Sequence, residues 1–108
     1  MTDEYKAIYS PAARDDLEAI YAYVAYELLA EPTAGELTAR IRREIRSLSS
    51  FPERNSPVDW EPWASMKMRK MPVGNFVVYY TVDREKRIVT VIRIFYGGRD
   101  IEHIISMQ

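Results

Sequence analysis

Two consecutive amphipathic helical patterns constrain the fold of this chain more than any other feature of its sequence. The first begins at Ser10-Pro11, where the serine can accept hydrogen bonds from free amides and the proline fits the first helical turn. Apolar side chains then recur at helical spacing over residues 11–29, and Pro32 interrupts them before a second stripe that ends near residues 49–50. Two such stripes joined by a tight break predict an antiparallel helical hairpin, and each stripe must be covered by something apolar.

Segments rich in aromatic and β-branched residues flank the helical region and predict four strands. One precedes the hairpin at residues 5–9, and three follow it at residues 66–71, 75–82 and 88–96. Between the helices and these three strands lie residues 52–65, which contain three prolines and two tryptophans and show little periodicity. We interpret this stretch as an ordered loop, and loops of this length are often functional.

The element order β-α-α-β-β-β predicts an α+β fold, in which an antiparallel sheet is covered on one face by the N-terminal helical hairpin. A chain of 108 residues has room for one domain, which we assign to residues 1–108. The opposite face of the sheet is then expected to be free for another use. Residues 100–107 are expected to form a short C-terminal helix.

The composition argues against several kinds of active site. The chain has no cysteine, which excludes disulfides, zinc–thiolate sites and thiol nucleophiles. Its single histidine, His103, argues against a Ser-His-Asp triad and a histidine-rich metal site, and we interpret it as a solvated residue at a helix end. Asp15 and Asp16 are adjacent in a helix and serve the helix dipole better than they would serve as a catalytic pair. We therefore expect no metal and no cofactor.

Targeting signals are also missing from the sequence. The longest uninterrupted apolar run covers residues 19–26, far short of the ~20 residues that span a bilayer. The first residues, MTDEYK, are acidic and do not resemble a signal or transit peptide. We expect a cytoplasmic protein that does not associate with membranes.

Acidic and basic side chains nearly cancel, to a net charge of −1, but they are segregated along the chain. Residues 1–31 carry a net charge of −5, residues 32–65 are neutral, and residues 66–108 carry +4. Such an asymmetry either marks a basic working surface or reflects solvated side chains along a sheet edge, and charge alone does not separate the two.

Basic side chains of the C-terminal region are placed to converge on one sheet face as an anion-binding patch. Alternation along the first of the three C-terminal strands predicts that Lys67 and Arg69 share one side, with Lys70 on the other. Arg93 lies within a hydrophobic strand, where a guanidinium is costly unless it reaches solvent or an anion, and Arg99 follows that strand. Guanidinium groups match phosphate oxygens in a bidentate fashion.

The same arginines have a structural interpretation of equal weight, in which Arg69 and Arg93 pair with carboxylates of this chain such as Glu85 or Asp100. Alternation along the last strand predicts two faces, one shared by Val89, Val91, Arg93 and Phe95 and the other by Ile92, Ile94 and Tyr96.

Aromatic side chains are abundant in the loop and in the first helix. We interpret Trp60 and Trp63 as packing anchors of the loop rather than as a platform for stacking bases. The tyrosines Tyr21, Tyr23 and Tyr26 exceed what one apolar stripe needs. Tyr23 and Tyr26 either cover a partner or pack against the second helix, and we favour the packing slightly.

Four segments together resemble a known family: SPAARDDLEAIYAYVAYEL, IRSLSSFPERN, RKMPVGNFVVYYTVD and VIRIFYGGRD. The most specific parts are Arg69 followed by residues 75–80, and the run formed by Arg93, Tyr96 and Arg99. In this order and spacing they resemble the RelE/ParE superfamily of toxins over nearly the whole chain. The long hairpin and the terminal Arg99-Asp100 are similar to its ParE and plasmid-stabilisation branch.

The resemblance implies the growth-inhibiting toxin of a bacterial type II toxin–antitoxin pair, which a small antitoxin neutralises in a hetero-oligomeric complex. ParE-like members inhibit DNA gyrase, whereas RelE-like members cleave mRNA on the ribosome with Lys, Arg and Tyr side chains in place of a metal. Where RelE-like enzymes place a catalytic arginine, this chain has Val77, and no tyrosine follows Tyr96. We therefore expect inhibition of gyrase, with a RelE-like mRNA endoribonuclease as the alternative.

The two functions give the same residues different roles. In a nuclease, the catalytic candidates are Arg69, Arg93, Arg99 and Tyr96, because metal-free cleavage needs an acid, a base and cations that offset phosphorane charge. In either function, the candidates for binding the target or another anion are Lys67, Arg69, Lys70, Arg93 and Arg99.

Overall fold

A four-stranded sheet with two helices on one face forms the framework of the molecule. The computed structural model describes residues 4–97. Its main elements are β1 (Lys6–Tyr9), α1 (Pro11–Ala22), α2 (Glu31–Arg46), β2 (Arg69–Val73), β3 (Phe76–Asp83) and β4 (Ile88–Tyr96). The order confirms the predicted β-α-α-β-β-β arrangement. The C-terminal helix expected at residues 100–107 lies outside the described residues.

The strands lie in the order β1-β4-β3-β2. As predicted, β2, β3 and β4 are antiparallel neighbours. In contrast, β1 runs parallel to β4, with Lys6 opposite Ile88 and Tyr9 opposite Val91. The whole hairpin and two further strands separate β1 from β4, and a connection of that length permits parallel pairing.

Ser10 begins α1 as predicted. Its hydroxyl accepts a hydrogen bond from the amide of Ala13 at 3.0 Å and donates one to the carbonyl of Ile92 at 2.8 Å. The regular α-helix is shorter than the predicted 11–29, because a turn of π-helix follows at Tyr23–Glu27. After α2, a 3₁₀ turn over Ser47–Ser49 ends the second helical segment close to the predicted residues 49–50.

The inner face of the sheet packs against both helices. Ala13 and Leu17 of α1 and Ile41 and Ile45 of α2 are buried there. The strands contribute Met71, Val73, Val78, Tyr80, Val89, Val91 and Ile94 to the same cluster. This core covers the two apolar stripes of the helices, as their amphipathic pattern required.

The outer face of the sheet is covered as well, so the expectation of a free second face is wrong. Trp63 and Met68, from the segment between the helices and β2, are buried there against Tyr79 and Phe95. Trp60 stacks on Trp63 with 5.1 Å between ring centroids. The two tryptophans are therefore packing anchors, as predicted, and their burial follows from the large apolar area of indole rings.

The loop is longer and β2 later than the sequence pattern suggested. Lys67 lies in a turn with φ of 58°, and the amide of Met68 donates to the carbonyl of Trp63 at 3.1 Å. The strand starts at Arg69 and runs to Val73. The predicted placement of Lys67 and Arg69 on one side of a common strand is therefore wrong, since Lys67 precedes the strand.

A bulge interrupts β4 and changes its predicted faces. Tyr79 lies opposite Arg93, whereas Tyr80 lies opposite Val91, so Ile92 is an extra residue in the ladder. Val89, Val91 and Ile94 consequently belong to the inner core, and Ile92 and Phe95 to the outer cluster. The single alternation predicted for residues 88–96 is wrong because a bulge shifts the alternation by one position.

Candidate functional site

Arg69 holds the start of the loop against the sheet. It pairs with the inner-facing Tyr80 across the β2–β3 ladder. One of its terminal nitrogens (Nη1) donates to the carbonyls of Glu53 at 3.0 Å and Asn55 at 2.6 Å. Its other terminal nitrogen (Nη2) lies 3.7 Å from the Glu53 carboxylate. Both N–H groups of Nη1 are therefore used within the chain, and Nη2 lies beside a carboxylate.

Tyr80 holds the same segment through its hydroxyl group. Its hydroxyl donates to the carbonyl of Pro52 and accepts from the side-chain amide of Asn55 at 3.0 Å. Burial raises the pKa of Tyr80 above its ordinary value of 10.0. The hydroxyl thus stays protonated and keeps its donor role.

Glu53 lies between two arginines. The Nε of Arg84 donates to both carboxylate oxygens of Glu53, at 2.9 and 3.1 Å, and a second nitrogen of Arg84 also reaches this carboxylate. The hydrogen bonds from Arg84, with a smaller contribution from the charge of Arg69, lower the pKa of Glu53. Glu53 therefore places a carboxylate of the same chain beside the guanidinium groups of both Arg69 and Arg84.

These side chains line an open cleft of about 590 Å³ at the β2–β3 side of the molecule. Its charged lining residues are Glu53, Lys67, Arg69, Asp83, Arg84 and Glu85. The three cations face three carboxylates, so the cleft is mixed in charge rather than strongly basic.

Arg93 pairs with Asp16 at the opposite side of the sheet. Its Nε and Nη2 donate to the two oxygens of Asp16 at 2.8 and 3.0 Å, and the amide of Ile94 donates to the same carboxylate at 2.9 Å. The guanidinium carbon lies 4.4 Å from the centre of the Phe95 ring. Asp16 raises the pKa of Arg93 further above its ordinary value through these hydrogen bonds.

The structure thus matches the ion-pair interpretation of Arg93, with Asp16 as the partner in place of the expected Glu85 or Asp100. The expectation that Asp16 serves the helix dipole is wrong, because no acidic residue lies in the first turn of α1. Asp16 stands three residues after buried Ala13 and four before Ile20, on the packed side of the helix. That spacing was the signal in the sequence that could have placed Asp16 on the packed side of the helix, although it does not specify Arg93 as the partner.

Tyr96 shares a cleft with Asp16 of the Asp16–Arg93 pair, whereas Lys70 lies apart from both arginine sites. Tyr96 is half-exposed and contacts Phe76 edge to face, with 5.8 Å between centroids. It lines an apolar cleft of about 650 Å³ between α1 and the end of the sheet, whose other lining residues include Asp16, Ile20 and Tyr23. Lys70 is exposed and pairs with Tyr79, which places it on the outer face.

The predicted patch is therefore only partly assembled. Lys67 and Arg69 share the β2–β3 cleft, whereas Arg93 lies at the free side of β4 and Lys70 on the outer face. Arg99 lies outside the described residues. Sequence reasoning missed Glu53 and Arg84, whose contact joins residues 31 positions apart.

Within residues 4–97, which the structure describes, there is neither a cluster of metal ligands nor a membrane-spanning helix. No group of three or more His, Cys, Asp or Glu side chains in this range is placed to hold a metal ion. No helix within the same residues combines the length and the apolar character needed to cross a bilayer.

Comparison with known proteins gives a consistent result. Residues 7–101 match the family described as ParE toxin of type II toxin-antitoxin system, parDE. The fold is similar to a chain of the chromosomal ParDE toxin–antitoxin system from P. aeruginosa, with a TM-score of 0.70, 17% identity, and coverage of 88% of this chain and 98% of that one. It is also similar to a chain of the toxin–antitoxin complex RelBE2 from Mycobacterium tuberculosis, with a TM-score of 0.61, 19% identity, and coverage of 86% and 98%. No curated protein matches in sequence.

Proposed function

This chain belongs to the ParE toxin family of type II toxin–antitoxin systems, and from that premise we propose that it inhibits bacterial growth by binding DNA gyrase in the cytoplasm. A cognate antitoxin neutralises it in a hetero-oligomeric complex, as the similar chains come from toxin–antitoxin systems. The match over residues 7–101 supports one toxin domain across residues 1–108.

The surroundings of Tyr96 support gyrase, rather than RNA, as the target. A nuclease without a metal needs cations beside its acid or base, because the phosphorane carries extra negative charge. Within the described part of the chain, the cleft at Tyr96 is lined by apolar and aromatic side chains and Asp16, with no Lys or Arg. The carboxylate of Asp16 is already paired with Arg93, so the described lining of this cleft offers a phosphate no unpaired cation.

The contacts that Arg69 and Arg93 make within the chain also support gyrase as the target. Arg93 is bonded to Asp16 through two nitrogens, and Arg69 to two backbone carbonyls. Val77 stands where RelE-like enzymes place an arginine, and it packs against the outer cluster. A function that depends on binding a protein target requires none of these groups to contact RNA.

A substitution that removes one hydroxyl tests the proposal. In Tyr96→Phe the ring keeps its edge-to-face contact with Phe76, so folding should be unaffected. Because the proposed toxin uses no acid or base at this position, we expect Tyr96→Phe to stop growth as the parent chain does. Induced cells should show DNA damage signalling and filamentation while labelled amino acids are still incorporated, and the purified protein should inhibit supercoiling by gyrase.

Lys67→Ala provides a second variant, since Lys67 is exposed and no hydrogen bond within the described residues depends on its side chain. Prompt arrest of translation with cut mRNA, lost in Tyr96→Phe or Lys67→Ala, would establish the RelE-like alternative and reject gyrase as the target. Normal growth with intact gyrase activity would reject both.

A further inference from the structure

The tip of the helical hairpin exposes four large apolar side chains within seven residues. The exposed fractions are 58% for Tyr23, 60% for Tyr26, 56% for Leu28 and 86% for Leu29. We call these four residues the hairpin tip. Single exposed apolar residues are ordinary on protein surfaces, whereas their concentration in one short segment points to an interaction site.

The backbone of the hairpin tip departs from regular helix where these side chains are exposed. The amide of Leu28 donates to the carbonyl of Tyr23 at 3.1 Å, and that of Ala30 donates to Val24 at 3.1 Å, as in a widened π-helical end. Leu29 then adopts a left-handed conformation with φ of 54°. Glycine or asparagine is the usual residue in this conformation, so a leucine costs stability there. π-helical turns are frequent at functional sites.

The charged side chains that lie near the hairpin tip in the sequence are all acidic. Residues 15–39 carry six acidic side chains and no Lys or Arg. Glu27 and Glu31, both exposed, directly flank Leu28 and Leu29 in the chain. Because like charges across an interface are unfavourable, this distribution disfavours a second copy of the tip as the partner and favours a segment that carries Lys or Arg.

We propose that the hairpin tip is a docking surface for a segment of another protein that presents apolar side chains flanked by Lys or Arg. The apolar side chains of that segment contact the tyrosines and leucines, and its cations lie against Glu27 and Glu31. The surface lies on the hairpin and not in the β2–β3 cleft, and its existence does not depend on gyrase being the target.

Direct binding of a defined probe tests this surface. We choose a synthetic amphipathic helix of leucine and lysine, titrated into the full chain by calorimetry and by amide NMR. The expected result is saturable binding with shifts centred on residues 23–31. Leu29→Asn should weaken binding by about tenfold, because a leucine side chain is no longer buried against the probe. An otherwise identical peptide with glutamate in place of lysine should not bind.

Phe51→Asn is the matched control. Phe51 is also left-handed, with φ of 48°, and is 82% exposed. In contrast to the hairpin tip, it lies in a stretch, residues 46–54, whose charged side chains are two arginines and one glutamate. Removing it should leave probe binding unchanged, and circular dichroism of both variants checks that they fold.

Three results would overturn the proposal. Equal binding of the lysine and glutamate peptides would show adhesion without charge selection. Equal loss in Leu29→Asn and Phe51→Asn would show that any exposed apolar residue suffices. Dimerisation of the parent chain in sedimentation, abolished by Leu29→Asn, would make a second copy the occupant.

Discussion

Asp16 and Arg93 illustrate how single side chains join distant parts of this molecule. Their bidentate contact lies between α1 and β4, and the same carboxylate accepts from the amide of Ile94. β1 ends at Tyr9, opposite Val91, so the side of β4 beyond this point has no strand partner. Asp16 supplies the acceptor that a neighbouring strand would otherwise provide for Ile94.

Asp16→Asn should therefore destabilise the protein. The side chains of Arg93 and Asp16 are only 22% and 13% exposed, and the substitution leaves a largely desolvated guanidinium without its counter-charge. We expect the free energy of unfolding to fall by about 2 kcal/mol, with a melting temperature lower by about 10 °C. Urea denaturation and calorimetry measure both quantities.

Asp15→Asn is the control for this prediction. The side chain of Asp15 is exposed and makes no hydrogen bond or ion pair with any described residue, so the same chemical change should alter stability by less than about 0.5 kcal/mol. Equal effects at residues 15 and 16 would contradict the role given to the Asp16–Arg93 pair.

At the scale of elements, the segment between α2 and β2 is attached to the sheet at two places. Its first part, which contains the 3₁₀ turn Pro52–Arg54, is bonded to Arg69, Tyr80 and Arg84. Its later part packs Trp63 onto the outer face. The amide of Lys70 also donates to Ser56, which pairs part of the edge of β2. The segment thus protects one face and one edge of the sheet.

The first attachment should be sensitive to acid. The pKa of Glu53 is lower in the folded chain than its ordinary value of 4.5, so its ionised form favours folding. This contribution is fully present above pH 4.5 and is lost as the pH falls through the lowered pKa. In Glu53→Gln the urea midpoint should be below that of the parent chain at pH 7, and the two midpoints should converge in acid.

Glu85→Gln serves as the control, since Glu85 lines the same cleft and its carboxylate makes no hydrogen bond within the described residues. A parent-to-variant difference that stays constant from pH 7 to pH 3 would rule out the ionised Glu53 as its source.

At the scale of the whole molecule, one sheet separates two hydrophobic clusters. The inner cluster contains Ala13, Leu17, Ile41 and Ile45 of the helices, whereas both tryptophans belong to the outer one. β3 contributes Val78 and Tyr80 to the inner cluster and Tyr79 to the outer, so the two clusters share their strands. Unfolding of either cluster therefore removes packing contacts from the strands that the two clusters share.

We therefore expect the two clusters to unfold together. Tryptophan fluorescence reports the outer cluster, because both tryptophans belong to it. Far-ultraviolet circular dichroism at 222 nm reports the helices, which pack on the inner face of the sheet. The two urea denaturation curves should coincide. A fluorescence transition at lower urea than the helical one would show that the loop leaves the sheet in a separate step.

The sequence by itself determined the local features of this protein. Ser10 as a helix cap, the end of the second helical segment and the bounds of β4 follow from residues a few positions apart, which is the range over which capping and periodicity act. The same segments, in order, also carried the resemblance to the RelE/ParE superfamily, which the family match bears out.

Only the tertiary structure decided which of the candidate cations are free and which faces are covered. Arg93 meets Asp16 across 77 residues, and Trp63 covers a face that the element order left open. The bulge at Ile92 depends on how β3 and β4 pair, and one extra residue reverses every later side chain. Such contacts form because packing brings remote positions together, and no pattern along one strand or helix encodes the partner.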